Sequence, residues 1–299
     1  MINSYLKALR APFLTGSLVP VVIGAALAFK ESVFVFSYFL VTLIGVAGLH
    51  LGANLINDYY DAGGSDPINL RLTPFSGGSR VIQNGEITRE TVLTMALFFF
   101  ALGGFAGLWI VFKGRPMVLV IGFLGLAAGW IYSAPPLQLM SRGWGEGVIF
   151  IAFGPLVTMG TYYVMSGSLS GLAFLLGIPQ GFFITGVIWI NQFPDYEADR
   201  QAGKDNLVVR LGSETSRYFY CAIMLMAYVS IIIMASLRVI SPLILISFFS
   251  FPLTFKAMQV LWREYLSLEG LIPAQALTIQ TLIAHGLLLS LAIGITRFF

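Results

Sequence analysis

Eight stretches of this 299-residue chain carry no Lys, Arg, Asp or Glu: 11–29, 32–57, 91–112, 116–141, 147–194, 218–237, 239–255 and 270–296. Crossing the hydrocarbon core of a bilayer takes roughly 20 apolar residues, so each is a candidate span. The fifth is too long: as one helix, 147–194 would extend about 72 Å, over twice the membrane thickness. It must fold back, and Ser166-Gly167-Ser168-Leu169-Ser170-Gly171 is where turn-forming residues gather. Nine spans result. With 57% hydrophobic and 10% charged residues, against about 25% charged in soluble domains, the chain is not a soluble globular protein. A closed barrel would show strands of about ten residues alternating polar and apolar, and these runs do not alternate. The expected fold is an all-α integral membrane protein of nine transmembrane helices in one bundle. Nine spans leave little chain for anything else, so one domain covers 1–299. The 32 glycines suit close helix packing in lipid, as the cluster Gly103, Gly104 and Gly107 illustrates.

An odd number of spans puts the termini on opposite sides and sorts the cations. The N-terminal side holds Lys7, Arg10, Arg71, Arg80, Arg89, Arg142, Arg200, Lys204, Arg210, Arg217, Lys256 and Arg263; the other holds only Lys30, Lys113, Arg115, Arg238 and Arg297. Positive residues concentrate in cytoplasmic loops, so the N-terminus is expected inside, in the inner (plasma) membrane. Glu31 is the sole acidic residue on the far side, so the polar chemistry faces the cytoplasm. Lys7, Arg10 and the small residues Ala26-Leu27-Ala28 imitate a signal peptide, but the apolar run is longer than a usual signal core. Cys221 is the single cysteine, so an intrachain disulfide is impossible. No basic run or aromatic repeat points to nucleic acid, and the positive loops are matched to anionic membrane lipid.

Most nonhelical residues fall in loops 57–90 and 193–216, each opening with amides followed by carboxylates. The first reads Asn54-Leu-Ile-Asn57-Asp58-Tyr-Tyr-Asp61, with Asp66 beyond; the second reads Asn191-Gln192-Phe-Pro-Asp195-Tyr-Glu-Ala-Asp199. Residues three and four apart share a helix face, so Asn57 with Asp61, and Asp195 with Asp199, form two oxygen-bearing clusters at the cytoplasmic ends of the second and sixth spans. Five aspartates at one mouth repel unless cations lie among them, and hard oxygen donors without His or Cys suit Mg²⁺. Magnesium characteristically joins one or two carboxylates to substrate phosphates, which implies a diphosphate. Arg71 and Arg80 follow the first cluster, and Arg200, Lys204 and Arg210 the second; Arg clamps phosphate bidentately and Lys acts as a point charge. Pro74 to Arg80, with Gly77 and Gly78, offers backbone donors to an anion. Tyr132 and Ser133 place hydroxyls before Pro135, which ends the fourth span. His50 lies one turn before Asn54 and could face the same cavity; a lone His, here or at His285, is ordinarily a packed or hydrogen-bonded residue.

Together these segments resemble the UbiA-type intramembrane prenyltransferases, over nearly the whole chain. Arg10-Ala-Pro12 through Val19-Pro20, Asn57 to Asp61, Gly143 to Glu146 with Phe153-Gly-Pro155 and Gly160 to Tyr163, and Asn191 through Lys204 to Gly212 are similar to the 1,4-dihydroxy-2-naphthoate polyprenyltransferase branch of menaquinone synthesis. The resemblance implies a central cavity open to lipid, capped by cytoplasmic loops. It implies Mg²⁺ on Asp58, Asp61, Asp66, Asp195 and Asp199, and a polyprenyl diphosphate and aromatic acceptor held by Asn54, Asn57, Arg71, Arg80, Tyr132, Ser133, Asn191 and Lys204. Two departures bear on the acceptor. The third acid of the first motif stands one residue late, at Asp66 with Ser65 in the usual place, and Pro194 stands where the branch often has Arg. Hydroxybenzoate, homogentisate, a tetrapyrrole acid or a glycerol-phosphate lipid therefore stay open as acceptors. A cation-coupled transporter is the rival outside this class, against which all carboxylates sit at one face and none mid-span.

Overall fold

The computed structural model describes residues 2–298, all helix and connecting turns apart from one isolated bridge, Thr73 with Ser76. A short α1 (Ile2–Leu9) leads into α2 (Thr15–Lys30), α3 (Phe36–Asp61), α4 (Arg89–Phe112) and α5 (Val118–Ile131). The next crossing is composite: α6 (Gly145–Ile151), a π-helical Ala152–Leu156 and α7 (Val157–Ser166). Then follow α8 (Gly171–Gln201), α9 (Leu207–Ser236), a 3₁₀ segment Pro242–Ser250 continuing into α10 (Phe251–Glu264), and α11 (Leu268–Ile295). Among the described residues, eight of these crossings are long and apolar enough for a bilayer, and α5, at 14 residues, is a shorter apolar ninth. The chain is a multi-pass membrane protein.

The long uncharged stretch breaks where its composition requires. Gly167 takes the left-handed conformation (φ 80°) that closes α7, and Ser170 Oγ accepts from Ala173 N–H at 3.2 Å to open α8. The expected loop 193–216, by contrast, is mostly helix. α8 runs through Pro194 to Gln201, and α9 begins at Leu207, with Asn206 Oδ1 accepting from Val209 N–H at 2.9 Å. The second acidic motif thus rides on the last turns of a rigid helix.

Apolar residues face outward as well as inward. Phe105 on α4 and Phe123 on α5 are 70% and 69% exposed, an arrangement that water opposes and lipid accepts. Inside, α3 packs on α4, α2 lies against α7 and α11, and α8 lies against α9 and the π-helical segment. A Cβ on Gly154 would sit 2.5 Å from Gly177 O and Gly181 N, so these two crossings meet backbone to backbone, as small residues allow in membranes. Of the expected glycine cluster, Gly103 makes such an approach, 3.0 Å from Gly45 O, while Gly104 has open space. The core forms two parts, one of α2, α7, α8, α9 and α11, and one of α1, α3 and α4. A cavity opens between them.

Candidate active site

The cavity encloses about 250 Å³ and draws its wall from α2, α3, α5, the composite crossing and α8. Its interior is apolar, with Val46, Leu49, Gly129, Phe153, Ile184 and Val187 among its lining; its mouth is polar. The helical repeat builds that mouth. Residues 54, 57 and 61 on α3, and 191, 195 and 199 on α8, recur every three or four positions, so all six line the cavity. Asp58 belongs to the next face and does not line it. Its Oδ1 accepts from Ser79 N–H at 3.4 Å and lies 3.8 Å from Arg10 NH1, while its Oδ2 is buried without a partner.

The two motifs are tied together by one ammonium. Lys204 Nζ lies 2.9 Å from Asp61 Oδ1 and 3.4 Å from Asp199 Oδ1. Burial works against this charge, but the Asp61 and Asp199 carboxylates outweigh it and raise the lysine pKa above its usual value. Asn57 Nδ2 donates to Asp61 Oδ2 at 3.0 Å and to Ser133 Oγ at 3.3 Å, and Asn206 Nδ2 donates to Asp199 Oδ2 at 2.9 Å. Ser133 is fully buried behind Asn57, so it positions that amide and does not reach the cavity. Tyr132 does line it.

The Pro74–Arg80 segment uses its backbone donors differently from expectation. Gly77 N–H donates to Asp195 Oδ2 and Ser79 N–H to Asp58 Oδ1, each at 3.4 Å, and Asn69 Nδ2 donates to Asp195 Oδ1 at 2.7 Å. The loop is a clip between the motifs. Gly78 must be glycine here: its φ is 73°, and a Cβ would stand 2.6 Å from Asp66 Oδ2. Asp66 lines the mouth, accepts from Gln83 Nε2 at 3.2 Å, and is raised to a pKa of about 7 by burial and then by Asp61 and Asp58.

Two expected ligands lie elsewhere. Arg71 NH2 donates to Leu266 O at 3.0 Å, fastening the loop to the turn before α11, and Arg80 donates to the Asp66 carbonyl from a left-handed backbone (φ 65°). Neither lines the cavity, because each guanidinium is engaged by a backbone carbonyl. The arginine that does is Arg10, 3.5 Å from Asn57 Oδ1 and 4.9 Å from the Phe13 ring centre. Arg10-Ala-Pro12 was visible as a motif, but its approach to α3 spans 47 residues. Ser65, Asn69 and Gln192 also line the mouth and carry no spacing signal of their own.

The model of the UbiA prenyltransferase family matches residues 17–269. The chain is a UbiA prenyltransferase. It is 24% identical over 289 residues to the 1,4-dihydroxy-2-naphthoate octaprenyltransferase of Bacillus subtilis (strain 168), covering 97% of this chain and 91% of that one. With the enzyme of the same description from Escherichia coli (strain K12) it shares 30% over 231 residues, 75% and 73% of the two chains. Its fold is that of a UbiA homologue from Archaeoglobus fulgidus bound to DMAPP and Mg²⁺, with a TM-score of 0.63 at 21% identity over 94% and 98% of the chains. Membership makes this UbiA chain a transferase and removes the transporter reading.

The donor set fits magnesium. Asp61, Asp66, Asp195 and Asp199 present hard carboxylate oxygens at one mouth. Among the described residues, no three His, Cys, Asp or Glu side chains gather into a metal cluster. Separate carboxylates that leave coordination positions open suit magnesium, which is seldom held in an all-protein cage.

Proposed function

We propose that this UbiA prenyltransferase transfers an isoprenyl chain from an allylic polyprenyl diphosphate to an aromatic acceptor, 1,4-dihydroxy-2-naphthoate, in a magnesium-dependent reaction. The observation that carries this reading is the cavity: a mouth of four carboxylates, Lys204 and Arg10 above an apolar interior. The relatives named for that acceptor, and the homologue bound to DMAPP and Mg²⁺, support it. One domain spans the chain, and the mouth faces the cytoplasm, the side where the cations concentrate.

Asp61, Asp66, Asp195 and Asp199 would hold the metal, which when bound supplies neutralisation of the diphosphate and of the charge on the leaving group. Asp58 supports from outside the cavity through Arg10 and Ser79. Lys204 and Arg10 bind the diphosphate as point charge and fork, and Asn54, Asn57, Asn191 and Tyr132 offer hydrogen bonds beneath it. The isoprenoid tail lies along Val46, Leu49, Ile184 and Val187, where it exchanges contacts with lipid for packing against side chains as apolar as lipid itself. A dry cavity lets the aromatic ring, and not water, capture the allylic carbon. With 1,4-dihydroxy-2-naphthoate, carbon dioxide leaves as the chain joins.

The test is an assay of protein in lipid with geranylgeranyl diphosphate, Mg²⁺ and 1,4-dihydroxy-2-naphthoate. The expected product is demethylmenaquinol, read as demethylmenaquinone once air has oxidised it. Product only with 4-hydroxybenzoate, homogentisate or another acceptor would overturn the acceptor, and absence of magnesium-dependent diphosphate release with every acceptor would overturn the reaction.

A further inference from the structure

His50 is the deepest polar side chain that α3 contributes to the cavity wall. It stands 11 residues before Asp61, about 16 Å along the helix, which leaves the interval for a diphosphate and an aromatic ring. Across from it Ser17, at the start of α2, also lines the cavity, with its Oγ 2.8 Å from His50 Nδ1. Both side chains are buried, 1% and 7% exposed.

The pair decides its own tautomer. Ser17 Oγ has one proton and two neighbours, His50 Nδ1 and the Leu14 carbonyl oxygen at 3.1 Å. A carbonyl only accepts, so both bonds exist together only if the hydroxyl donates to Leu14 and accepts from Nδ1–H. In the neutral ring this leaves a lone pair on Nε2, and that atom has no partner among the described residues. The ring is also fixed from its side. Phe153 meets it edge to face, 5.0 Å between centroids at 86°, and is carried by the π-helical turn Ala152–Leu156 whose Gly154 is pressed on α8. Such π-bulges are frequent at functional sites.

We infer that His50 Nε2 is the base on the acceptor side of the reaction, accepting the hydrogen bond of a ring hydroxyl and then its proton; the inference rests on the prenyl-transfer reading of the same cavity. As the hydroxyl proton passes to Nε2, the adjacent ring carbon forms its bond to the allylic carbon. The carbon–oxygen bond to diphosphate breaks, and the diphosphate leaves with that electron pair. The ring is now a ketone carrying both the prenyl group and the carboxylate. Loss of carbon dioxide returns a bonding pair to the ring and makes the enolate oxygen, which takes the proton back from His50. The histidine ends as it began, and Ser17 is the positioning residue that holds Nδ1–H.

Equilibrium binding in lipid nanodiscs, without prenyl diphosphate, compares 1-hydroxy-2-naphthoate with 2-naphthoate, which lacks the hydroxyl. The wild type should prefer the hydroxylated ligand about tenfold, the worth of one net hydrogen bond. His50→Phe should bind both alike while keeping magnesium-dependent affinity for geranylgeranyl diphosphate. His50→Gln, whose amide accepts a hydrogen bond but no proton, should keep the preference and lose at least about a hundredfold in turnover. If His50→Phe does not fold, Ser17→Ala carries the test, since it frees the ring to take either tautomer and should lower the preference. An unchanged preference in His50→Phe or Ser17→Ala, or wild-type turnover in His50→Gln, overturns the role of His50. Failure of the wild type to release diphosphate with any acceptor defeats the prenyl-transfer reading instead.

Discussion

Replacing Lys204 with Met separates two jobs of one ammonium. Lys204 Nζ stands 2.9 and 3.4 Å from Asp61 and Asp199, and the three side chains are only 13%, 13% and 9% exposed, so solvent screens them little. Removing one partner of such a buried pair costs about 3–5 kcal/mol, softened as a stranded carboxylate takes up a proton. Substrate-free Lys204→Met is therefore expected to melt earlier than wild type. Magnesium should respond in the opposite sense. In the wild type it must displace bonds to a charged group worth about 1.5–3 kcal/mol each, so losing even one raises Mg²⁺ affinity roughly 10- to 150-fold. Prenyl diphosphate affinity should fall in the same variant, because the phosphates lose their point charge. Calorimetric titration of Mg²⁺ into nanodisc-embedded protein, without and then with geranylgeranyl diphosphate, reads both. Equal magnesium affinities for wild type and Lys204→Met would refute the idea that the lysine holds the metal's place.

Asp61→Ala and Asp195→Ala should each lower turnover at least about a hundredfold, as loss of a Lewis-acid ligand implies, whereas Asp58→Asn, off the cavity, should act more on melting temperature than on magnesium dependence; equal kinetic losses at all three would count against this division. Asp66, with its pKa raised from 3.8 to about 7, binds more proton folded than unfolded between those values. Its contribution to metal-free stability is therefore fully present below about pH 4 and lost as pH rises to 7. Melts in chelator from pH 5 to 8 should fall over that window and then level, and should rise again when Mg²⁺ is added at pH 8; a melting temperature independent of pH in wild type, or a fall undiminished in Asp66→Asn, would reject the assignment. Gly154→Ala places a Cβ 2.5 Å from Gly177 O and Gly181 N, and overpacking of this kind costs about 1–3 kcal/mol, measurable as earlier thermal aggregation; an unchanged midpoint would show that the seam relaxes freely.

The architecture was readable because lipid leaves few choices. Without water to satisfy backbone groups, uncharged runs of this length must be helices, and the Ser166–Gly171 break is marked by clustered Ser and Gly in a stretch too long for one crossing. The two ridges of the mouth were readable for a related reason: the helical repeat turns the spacing of Asn57 with Asp61, and of Asn191, Asp195 and Asp199, into shared faces. The same repeat should have set Asp58 apart, since a neighbour in sequence is about 100° around the helix.

Loop residues obeyed no such rule. Arg71 and Arg80 stood near the acidic motif in sequence, yet each is claimed by a backbone carbonyl, one of them at Leu266, 195 residues away. Asn69 reaches Asp195 across 126 residues, and Arg10 reaches Asn57 across 47; nothing periodic links such positions. His50 looked like an ordinary packed histidine until Ser17 and Phe153 were found against it. Composition and spacing therefore settle the membrane, the helices and the faces of α3 and α8, because these follow from local repeats and from the absence of water. The pairing of Lys204 with two motifs, the clip over Asp195 and the tautomer of His50 depend on which helices come to lie side by side, and hydrogen bonds between them form only once packing has brought those partners within 3 Å or so.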